Sequence, residues 1–335
     1  MGLESSRTQR VAAPSRTAWD GPGSIGRMQR VDRIVRDPRF DRLVPAEAEL
    51  VPLADGALWA EGPVYLPDDD AVVWSDVRSN VVHRWSAADG TSDMYRPSDF
   101  ANGHTLDHDG LILACEHGRR RIARYERDGT RTTVVDRYEG ARLNSPNDIV
   151  VAWDGAIWFT DPPYGILDDS EGYKADSELG GSFVFRFDPA GGGLTVASDD
   201  LVHPNGLAFS PDETTLYVSD TSAARIEGGN HHILAFDVVD GRRLASPRVF
   251  AVIEPGLPDG LRIDVEGNVW TSAGDGIHVL DAAGVELGRI ILPKPVSNCT
   301  FGGSDGRRLF ITATSTLWSI DVGVRGAVTP WVAER

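Results

Sequence analysis

The stretch HPNGLAFSPDETTLYVSD, residues 203–220, contains the unit from which most of the chain is built. It opens with an Asn-Gly pair, continues as a short apolar run, turns at Ser-Pro-Asp-Glu and ends in a second apolar run. Altered copies recur along the chain, and each opens with a side chain that carries an amide or carboxylate oxygen. The six opening residues are Glu61, Asn102, Asn147, Asn205, Asp259 and Asn298. Two alternating apolar runs around an Asp/Gly turn predict a β-hairpin in every copy.

The spacing of these copies indicates the fold. Successive opening residues are 39 to 58 positions apart, and such a period with strand-like content is typical of propeller blades. The fourth copy supplies four strands in order, which are GLAFS, TLYVSD, HILAFDV and RVFAVI. Tryptophans in the second or third strand of several copies suit packing between neighbouring sheets. We therefore predict an all-β fold, a six-bladed β-propeller over residues 46–335.

The two ends of the chain are less regular. The sixth copy contains only three strands, and two segments fit the slot of its outer strand, ELVPL at 49–53 and VTPWV at 328–332. The sequence does not decide which of the two segments supplies this strand. Residues 1–45 lack the repeat and are predicted to form an N-terminal arm. We expect residues 1–25 to be disordered, and residues 26–44 to form a short helix or an extended segment packed on the propeller.

The composition argues against two classes of partner. A net charge of −17 argues against nucleic acid or an anionic membrane as a partner, because both attract basic surfaces. Cys115 and Cys299 are too few for a disulfide framework and lack metal-type spacing. The N-terminus lacks the apolar core of a signal peptide, and no apolar run is long enough to span a membrane. We expect a reduced, cytoplasmic protein that is a monomer or a weak homo-oligomer.

Strand order places all six opening residues on one face of the propeller. In an antiparallel blade the second strand ends on the face where the first begins. The loops between the second and third strands therefore lie beside the opening residues, and the two longest of them are residues 161–181 and 221–231. Long loops on one face of a rigid scaffold usually build a binding site. We place the functional site on this face.

The opening residues also have the chemistry of a metal site. Asn-Gly pairs alone are explained by turn formation, in which glycine supplies a positive φ. Here, however, Glu61 and Asp259 occupy the same repeat position as Asn147 and Asn205, and two acids at one axis would repel each other without a cation between them. Oxygen ligands without His or Cys favour Ca²⁺, with Mg²⁺, Mn²⁺, Zn²⁺ or Fe²⁺ as alternatives. We predict a divalent-metal site at these four residues.

The chain resembles the SMP-30/gluconolactonase/LRE family of six-bladed propellers over about residues 36–323. The motifs that carry the resemblance are AEGPV at 60–64, ANGHTLD at 101–107, CEHGRRR at 115–121, RLNSPND at 142–148, FTDPPYG at 159–165, PNGLAFSPD at 204–212, PDGLRID at 258–264 and SNCTFGG at 297–303. The resemblance implies that Glu61, Asn147, Asn205 and Asp259 are the cation ligands and that Asp259 acts as a base. It also implies hydrolysis of a small lactone, most often a sugar lactone such as glucono-1,5-lactone, within carbohydrate metabolism.

Lactone opening is consistent with the residues themselves. A cation polarises a lactone carbonyl and stabilises the tetrahedral oxyanion, while a carboxylate such as Asp259 activates the attacking water. Two alternatives stay open. One keeps the fold and the metal but acts on phosphotriesters or fluorophosphates. The other is a non-catalytic, metal-binding propeller used for binding or sensing.

Two histidines and one tyrosine are further candidates for substrate contact. His104 begins a strand at the metal face, where it would be a base, a hydroxyl ligand or a structural residue of the axis. His117 begins a loop on the same face. Tyr164 follows two prolines and is expected to form a stiff pocket wall.

Four more polar residues belong to the same region of the predicted site. Arg142 and Asn144 lie just before a predicted ligand, in positions that the family often uses to hold sugar hydroxyls, although the spacing here is longer. Asn102 and Asn298 are expected to line the channel, and for Asn298 a turn-capping role competes with that one.

Overall fold

Six antiparallel sheets around a central axis form the fold of residues 27–327, which are the residues that the computed structural model describes. The innermost strand of each sheet contacts the innermost strand of the next, and the sixth contacts the first, so the ring is closed. The predicted six-bladed β-propeller is confirmed. Within residues 27–327 no helix is both long and apolar enough to cross a membrane.

The strands run outward from the axis in each blade. The chain begins with β1 (Gln29–Arg30), β2 (Asp32–Val35), helix α1 (Arg39–Leu43) and β3 (Glu49–Asp55). Blade 1 contains β4 (Ala60–Leu66), β5 (Ala71–Asp76), β6 (Val81–Ser86) and β7 (Gly90–Tyr95). Blade 2 contains β8 (Ala101–Leu106), β9 (Ile112–Glu116), β10 (Arg121–Tyr125) and β11 (Arg131–Val135), followed by a small hairpin of β12 (Arg137–Tyr138) and β13 (Ala141–Arg142).

The remaining blades follow the same order. Blade 3 contains β14 (Ile149–Val151), β15 (Ile157–Asp161), helix α2 (Tyr164–Leu167), β16 (Phe183–Asp188) and β17 (Gly193–Ser198). Blade 4 contains β18 (Pro204–Phe209), β19 (Thr215–Asp220), β20 (His232–Val239) and β21 (Arg243–Val252). Blade 5 contains β22 (Leu261–Ile263), β23 (Val269–Ser272), β24 (Gly276–Leu280) and β25 (Glu286–Ile291). Blade 6 contains β26 (Asn298–Gly302), β27 (Arg308–Ala313) and β28 (Thr316–Asp321). Short 3₁₀ helices occur at Pro67–Asp69 and Ser222–Ala224.

Aromatic side chains fill the space between blades, as the tryptophan positions predict. Trp74, Trp158 and Trp270 are fully buried. Each packs in a cluster that joins its own blade to a neighbour, for instance Trp158 of blade 3 with Leu207 and Phe236 of blade 4. Because a propeller sheet is covered on both faces, second strands such as β5 and β15 are buried along their whole length.

Strand β3 closes the ring. It pairs antiparallel with β28, with Asp55 opposite Thr316 and Val51 opposite Ser319. Of the two segments that fit the open slot, the one at 49–53 therefore supplies the outer strand of blade 6. The other, 328–332, lies outside the described residues.

The N-terminal arm is built into the outer edge of the propeller. Strand β1 extends blade 6 beyond β3, and β2 extends blade 5 beyond β25, so each becomes five-stranded. Both alternatives expected for residues 26–44, a short helix and an extended segment, are present. Phe40 and Leu43 of α1 are buried in the cluster that blades 5 and 6 share. The expected disorder of residues 1–25 concerns positions outside the described range.

The buried phenylalanine of α1 gives a test of how firmly the arm contributes to stability. Phe40→Ala should lower the free energy of unfolding by about 3–5 kcal/mol, because a large apolar side chain is removed from a closed core. Met28→Ala, at a residue of the same arm that is 57% exposed, should change it by less than about 0.5 kcal/mol. Urea unfolding followed by tryptophan fluorescence measures both. A Phe40→Ala loss as small as that of the control would show that the arm does not stabilise blades 5 and 6.

Candidate functional site

Five of the opening residues converge on one cavity of about 490 Å³. It lies on the face where the first strands begin, beneath the loops at 161–181 and 221–231. The opening residues that line it are Glu61, Asn102, Asn147, Asn205 and Asp259. The turns between first and second strands lie at the other end of the axis, where Pro67, Trp153 and Pro211 line a separate cavity. Strand order alone therefore predicted correctly the face on which these opening residues lie.

Glycines after the opening residues let the inner strands meet. A Cβ on Gly103 would lie 2.5 Å from the carbonyl oxygen of Asn147, and a Cβ on Gly206 would lie 2.3 Å from that of Asp259. Neither glycine has a positive φ, so turn geometry does not explain these Asn-Gly pairs. Close approach of the next blade explains them, since only glycine leaves room for a neighbouring backbone.

Hydrogen bonds between blades fix the backbone of the opening residues. The amide of Gly103 donates to the carbonyl of Asn147 at 2.8 Å, and that of Gly206 donates to the carbonyl of Asp259 at 3.2 Å. Hydroxyl groups at the ends of second strands donate to opening carbonyls of the following blade, and these bonds are Ser75 to Asn102 at 3.0 Å, Thr160 to Asn205 at 2.7 Å and Ser219 to Asp259 at 2.7 Å. The site is thus held by backbone contacts that belong to the ring itself.

Two carboxyl groups meet in this cavity. Glu61 and Asp259 are hydrogen-bonded to each other, although they belong to different blades. Burial raises the pKa of Glu61 to about 8. It also raises the pKa of Asp259 far above its ordinary value, and the charge of Glu61 adds to that effect. Without a cation, the pair therefore shares a proton at neutral pH, because two buried like charges in contact do not both ionise.

The donor set fits a hard divalent cation. Nδ2 of Asn205 donates to Oγ1 of Thr221 at 3.0 Å, which leaves the amide oxygen available to the cavity. Two carboxylates and amide oxygens are the ligand types that Ca²⁺ prefers. Across residues 27–327, no three His, Cys, Asp or Glu side chains are grouped closely enough to hold a metal ion. Any cation here would therefore depend on the amides of Asn147 and Asn205 as well as on the two acids.

The sixth opening residue supports the site from behind. Nδ2 of Asn298 donates to Oε2 of Glu61 at 3.3 Å, and Oδ1 accepts from the amide of Cys299 at 2.8 Å. Asn298 is buried and does not line the cavity. Its side chain caps its own strand, which is the competing role expected for it, and it also orients a carboxylate. The expected lining role is not borne out, because the side chain lies behind Glu61.

Aromatic and aliphatic side chains form the walls of the cavity. Trp59, Tyr164, Leu257 and Val296 line it above the polar floor. The hydroxyl of Tyr164 is hydrogen-bonded to Thr221, and burial raises its pKa. A floor of oxygen ligands beneath apolar walls suits a small ring with polar and apolar surfaces.

The two histidines lie next to the cavity but do not line it. Nδ1 of His104 donates to the carbonyl of Gly62 at 2.8 Å, and burial lowers the pKa of this ring to about 4. Nδ1 of His117 donates to the carbonyl of Glu171 at 2.9 Å, while its Nε2 faces Nδ2 of Asn102 at 3.4 Å. Burial lowers the pKa of His117 as well. Both rings are neutral. His104 ties β8 to the residue after Glu61, and His117 ties the loop after β15 to Asn102.

Arg142 and Asn144 also lie outside the cavity lining. The amide of Asn144 donates to the carbonyls of Asp161 and Gly181, and its Oδ1 accepts from Ser177 at 2.6 Å. Arg142 donates from its guanidinium to the carbonyl of Arg119 at 3.2 Å. The side chain of Asn144 therefore anchors the loop that follows β15, whereas that of Arg142 contacts the loop between β9 and β10. Their contact with a substrate stays a prediction.

Three charged lining residues were not identified from the repeat. They are Arg78, Glu171 and Arg225. Each comes from a loop between the second and third strands of its blade, so the face was predictable while the individual side chains were not. Two ion pairs link these loops across the mouth of the cavity, Arg78–Glu171 at 2.7 Å and Arg225–Asp168 at 3.8 Å.

Comparison with known proteins adds a family and a set of relatives. A family model described as the SMP-30/gluconolactonase/LRE-like region matches residues 59–315. A gluconolactonase of Zymomonas mobilis is 35% identical over 298 residues, which cover 83% of this chain and 82% of the relative. A pentonolactonase of Haloferax volcanii is 32% identical over 75% of this chain and 80% of its own length. The solved structure of a gluconolactonase from Xanthomonas campestris has a TM-score of 0.83 at 40% identity, covering 92% of this chain and 99% of that one.

Because neighbouring blades approach so closely, we expect a single added methyl group at Gly206 to reduce both stability and cation binding. Gly206→Ala should displace the backbone of Asp259, lower the free energy of unfolding by about 1–3 kcal/mol and weaken calcium binding. Gly193→Ala adds the same methyl where no atom lies within 4 Å, and it should leave both properties unchanged. Thermal unfolding with and without calcium compares the two. Equal behaviour of the variants would contradict the packing role of Gly206.

The shared proton predicts a pH dependence of the metal-free protein. Because the pKa of Glu61 rises from 4.5 to about 8 on folding, the folded protein keeps a proton that the unfolded chain releases between these values. Stability of the EDTA-treated wild type should therefore fall on the order of 2–4 kcal/mol from pH 5 to pH 8, and clearly less in Glu61→Gln.

Calcium should reverse this loss in the wild type. At a hundredfold excess over Kd, it should add about 2.7 kcal/mol at pH 8 and nothing in Glu61→Gln. Glu227→Gln, at an exposed carboxylate of the 221–231 loop, is the matched control and should respond like the wild type. An equal calcium response of wild type and Glu61→Gln would refute the assignment of Glu61 as a ligand.

Proposed function

The chain belongs to the SMP-30/gluconolactonase/LRE family, and on this basis we propose that it is a hydrolase that opens sugar lactones, in the manner of a gluconolactonase. The relatives described as gluconolactonase and pentonolactonase, at 32–40% identity over most of their length, support this proposal. The observation that carries it is the paired carboxyl groups of Glu61 and Asp259 at the floor of a 490 Å³ cavity with apolar walls. A single six-membered lactone and a few waters fit such a volume.

Four residues would hold a divalent cation in this site. They are Glu61, Asn147, Asn205 and Asp259, and Ca²⁺ is the ion that their oxygens favour. The chemistry that a cation supplies there is polarisation of the lactone carbonyl and stabilisation of the developing oxyanion. Asn298 keeps Glu61 oriented through its bond to Oε2.

Asp259 is the proposed general base. Its amide donates to Oγ of Ser272 at 2.7 Å, and its carbonyl accepts from Ser219 at 2.7 Å, so the backbone on both sides of the carboxylate is fixed. The carboxylate removes a proton from water as the water oxygen bonds to the carbonyl carbon. The ring carbon–oxygen bond then breaks, the released alkoxide takes up a proton, and the product is a hydroxy acid.

A serine nucleophile is not needed for this reaction. Residues 302–306, Gly-Gly-Ser-Asp-Gly, match the spacing of a nucleophile elbow. They form the turn between β26 and β27, however, at the end of the axis opposite the site, and Ser304 is exposed there. The histidines beside the cavity do not line it, and each directs its Nδ1 to a backbone carbonyl, whereas Asp259 lines the cavity and is therefore better placed as the base.

Kinetics with a chelator test the proposal. The wild type should hydrolyse glucono-1,5-lactone, lose that activity in EDTA and regain it with Ca²⁺ or Mn²⁺. Asp259→Asn and Glu61→Gln should each lower kcat by at least about 10³-fold, since each removes a charge from the reacting centre. Glu227→Gln should stay within about twofold of the wild type. Acid release in a pH-stat measures all four proteins.

The same assay separates the alternative functions. Turnover of a phosphotriester such as paraoxon without turnover of any lactone would replace the substrate class. Calcium binding without turnover of either class would identify a non-catalytic propeller. Full activity in both Asp259→Asn and Glu61→Gln would refute the assignment of the site.

A further inference from the structure

The residues expected to hold sugar hydroxyls have other partners in this chain. Asn144 is buried, and both ends of its amide are bonded to the loop after β15. The guanidinium of Arg142 donates to a backbone carbonyl and lies outside the cavity lining. A substrate rich in hydroxyl groups therefore has to find its acceptors among other lining residues.

Glu171 is the acid of the cavity that the proposed reaction does not use. It lies in the strap, the loop of residues 162–182 between β15 and β16, and it lines the cavity with a side chain only 12% exposed. The strap leaves blade 3 and crosses blade 2, where the ring of Tyr173 packs edge-on against Phe100 at 5.3 Å. The carbonyl of Glu171 accepts from His117 at 2.9 Å. The backbone that carries this carboxylate is thus anchored at Glu171 itself and two residues later at Tyr173.

Arg78 fixes the carboxylate itself. Its Nε and Nη2 both donate to Oε1 of Glu171, at 2.9 and 2.7 Å. The guanidinium lies over the ring of Trp59, 5.1 Å from its centre, and Trp59 also lines the cavity. Oε2 of Glu171 receives no hydrogen bond from any residue in the described range. One carboxylate oxygen is therefore immobilised while the other keeps its capacity to accept.

We propose that Glu171 contacts the substrate and determines its specificity, by accepting hydrogen bonds from the hydroxyl groups of a neutral, polyhydroxylated lactone. This inference rests on the proposed lactonase function and adds a subsite to it. A carboxylate has room for several O–H donors and binds them more strongly than a neutral acceptor does. Trp59 beside it offers an apolar surface to the C–H face of the same ring. The charge of Arg78 is already paired with Glu171. The side of the cavity that these residues form therefore favours hydroxyl groups over anionic substituents.

Comparison of two neutral lactones tests the subsite. Glucono-1,5-lactone and δ-valerolactone share the six-membered lactone ring, but only the first carries hydroxyl groups. The ratio of their kcat/KM values should fall at least tenfold in Glu171→Gln, through a higher KM for glucono-1,5-lactone. Glu171→Asp, which keeps the charge but withdraws the oxygens by one carbon, should lower the same ratio and serves if the first variant does not fold. Glu227→Gln should leave the ratio at the wild-type value.

The possible outcomes distinguish failure of the proposed role of Glu171 from failure of the proposed lactonase function. If Glu171 merely pins the strap, both substrates lose activity equally and the unchanged ratio overturns the inference, while the lactonase function stands. If the wild type opens neither lactone, the proposed function fails and the subsite with it. A ratio that falls in Glu227→Gln as much as in Glu171→Gln would also overturn the inference, because the effect would then be one of net charge.

Discussion

The close approach of six inner strands at the axis is the constraint on which the rest of this structure depends. Where Gly103 and Gly206 stand, any side chain would collide with the backbone of the next blade. The same approach lets each glycine amide donate to the opening carbonyl beside it. Geometry that closes the ring therefore also sets the depth of the opening residues in the cavity. Fold and site share one set of contacts here, and a change that loosens one loosens the other.

A second consequence of that approach is electrostatic. Bringing Glu61 and Asp259 into contact within a buried floor costs free energy, because each carboxylate loses water and faces a like charge. The ring offsets part of this cost with hydrogen bonds, such as that from Asn298 to Glu61. The remaining cost makes the site favour a cation or a proton. This strained arrangement, rather than any single residue, gives the cavity its chemical character.

The sequence was informative wherever a feature repeats and silent where it does not. The period of the opening residues, together with antiparallel strand order, predicted six blades and the face that carries Glu61 and Asp259. It also predicted the burial of Trp158 between blades. It did not predict that Glu171 enters the cavity, because the path of the strap depends on contacts such as Tyr173 with Phe100. The neutrality of His104 likewise follows from burial that only the folded ring creates.

The pairing of β3 with β28 has a consequence for folding during synthesis. These strands pair although Asp55 and Thr316 are 261 positions apart in the sequence, so β3 lacks its partner until the sixth blade has been synthesised. Before then β3 and the emerging edge of blade 6 each present unpaired backbone groups, which invite association between chains. A topology with such distant pairing also folds slowly. Both edges stay open to such association until blade 6 forms, and the pairing of β3 with β28 in the finished ring removes them.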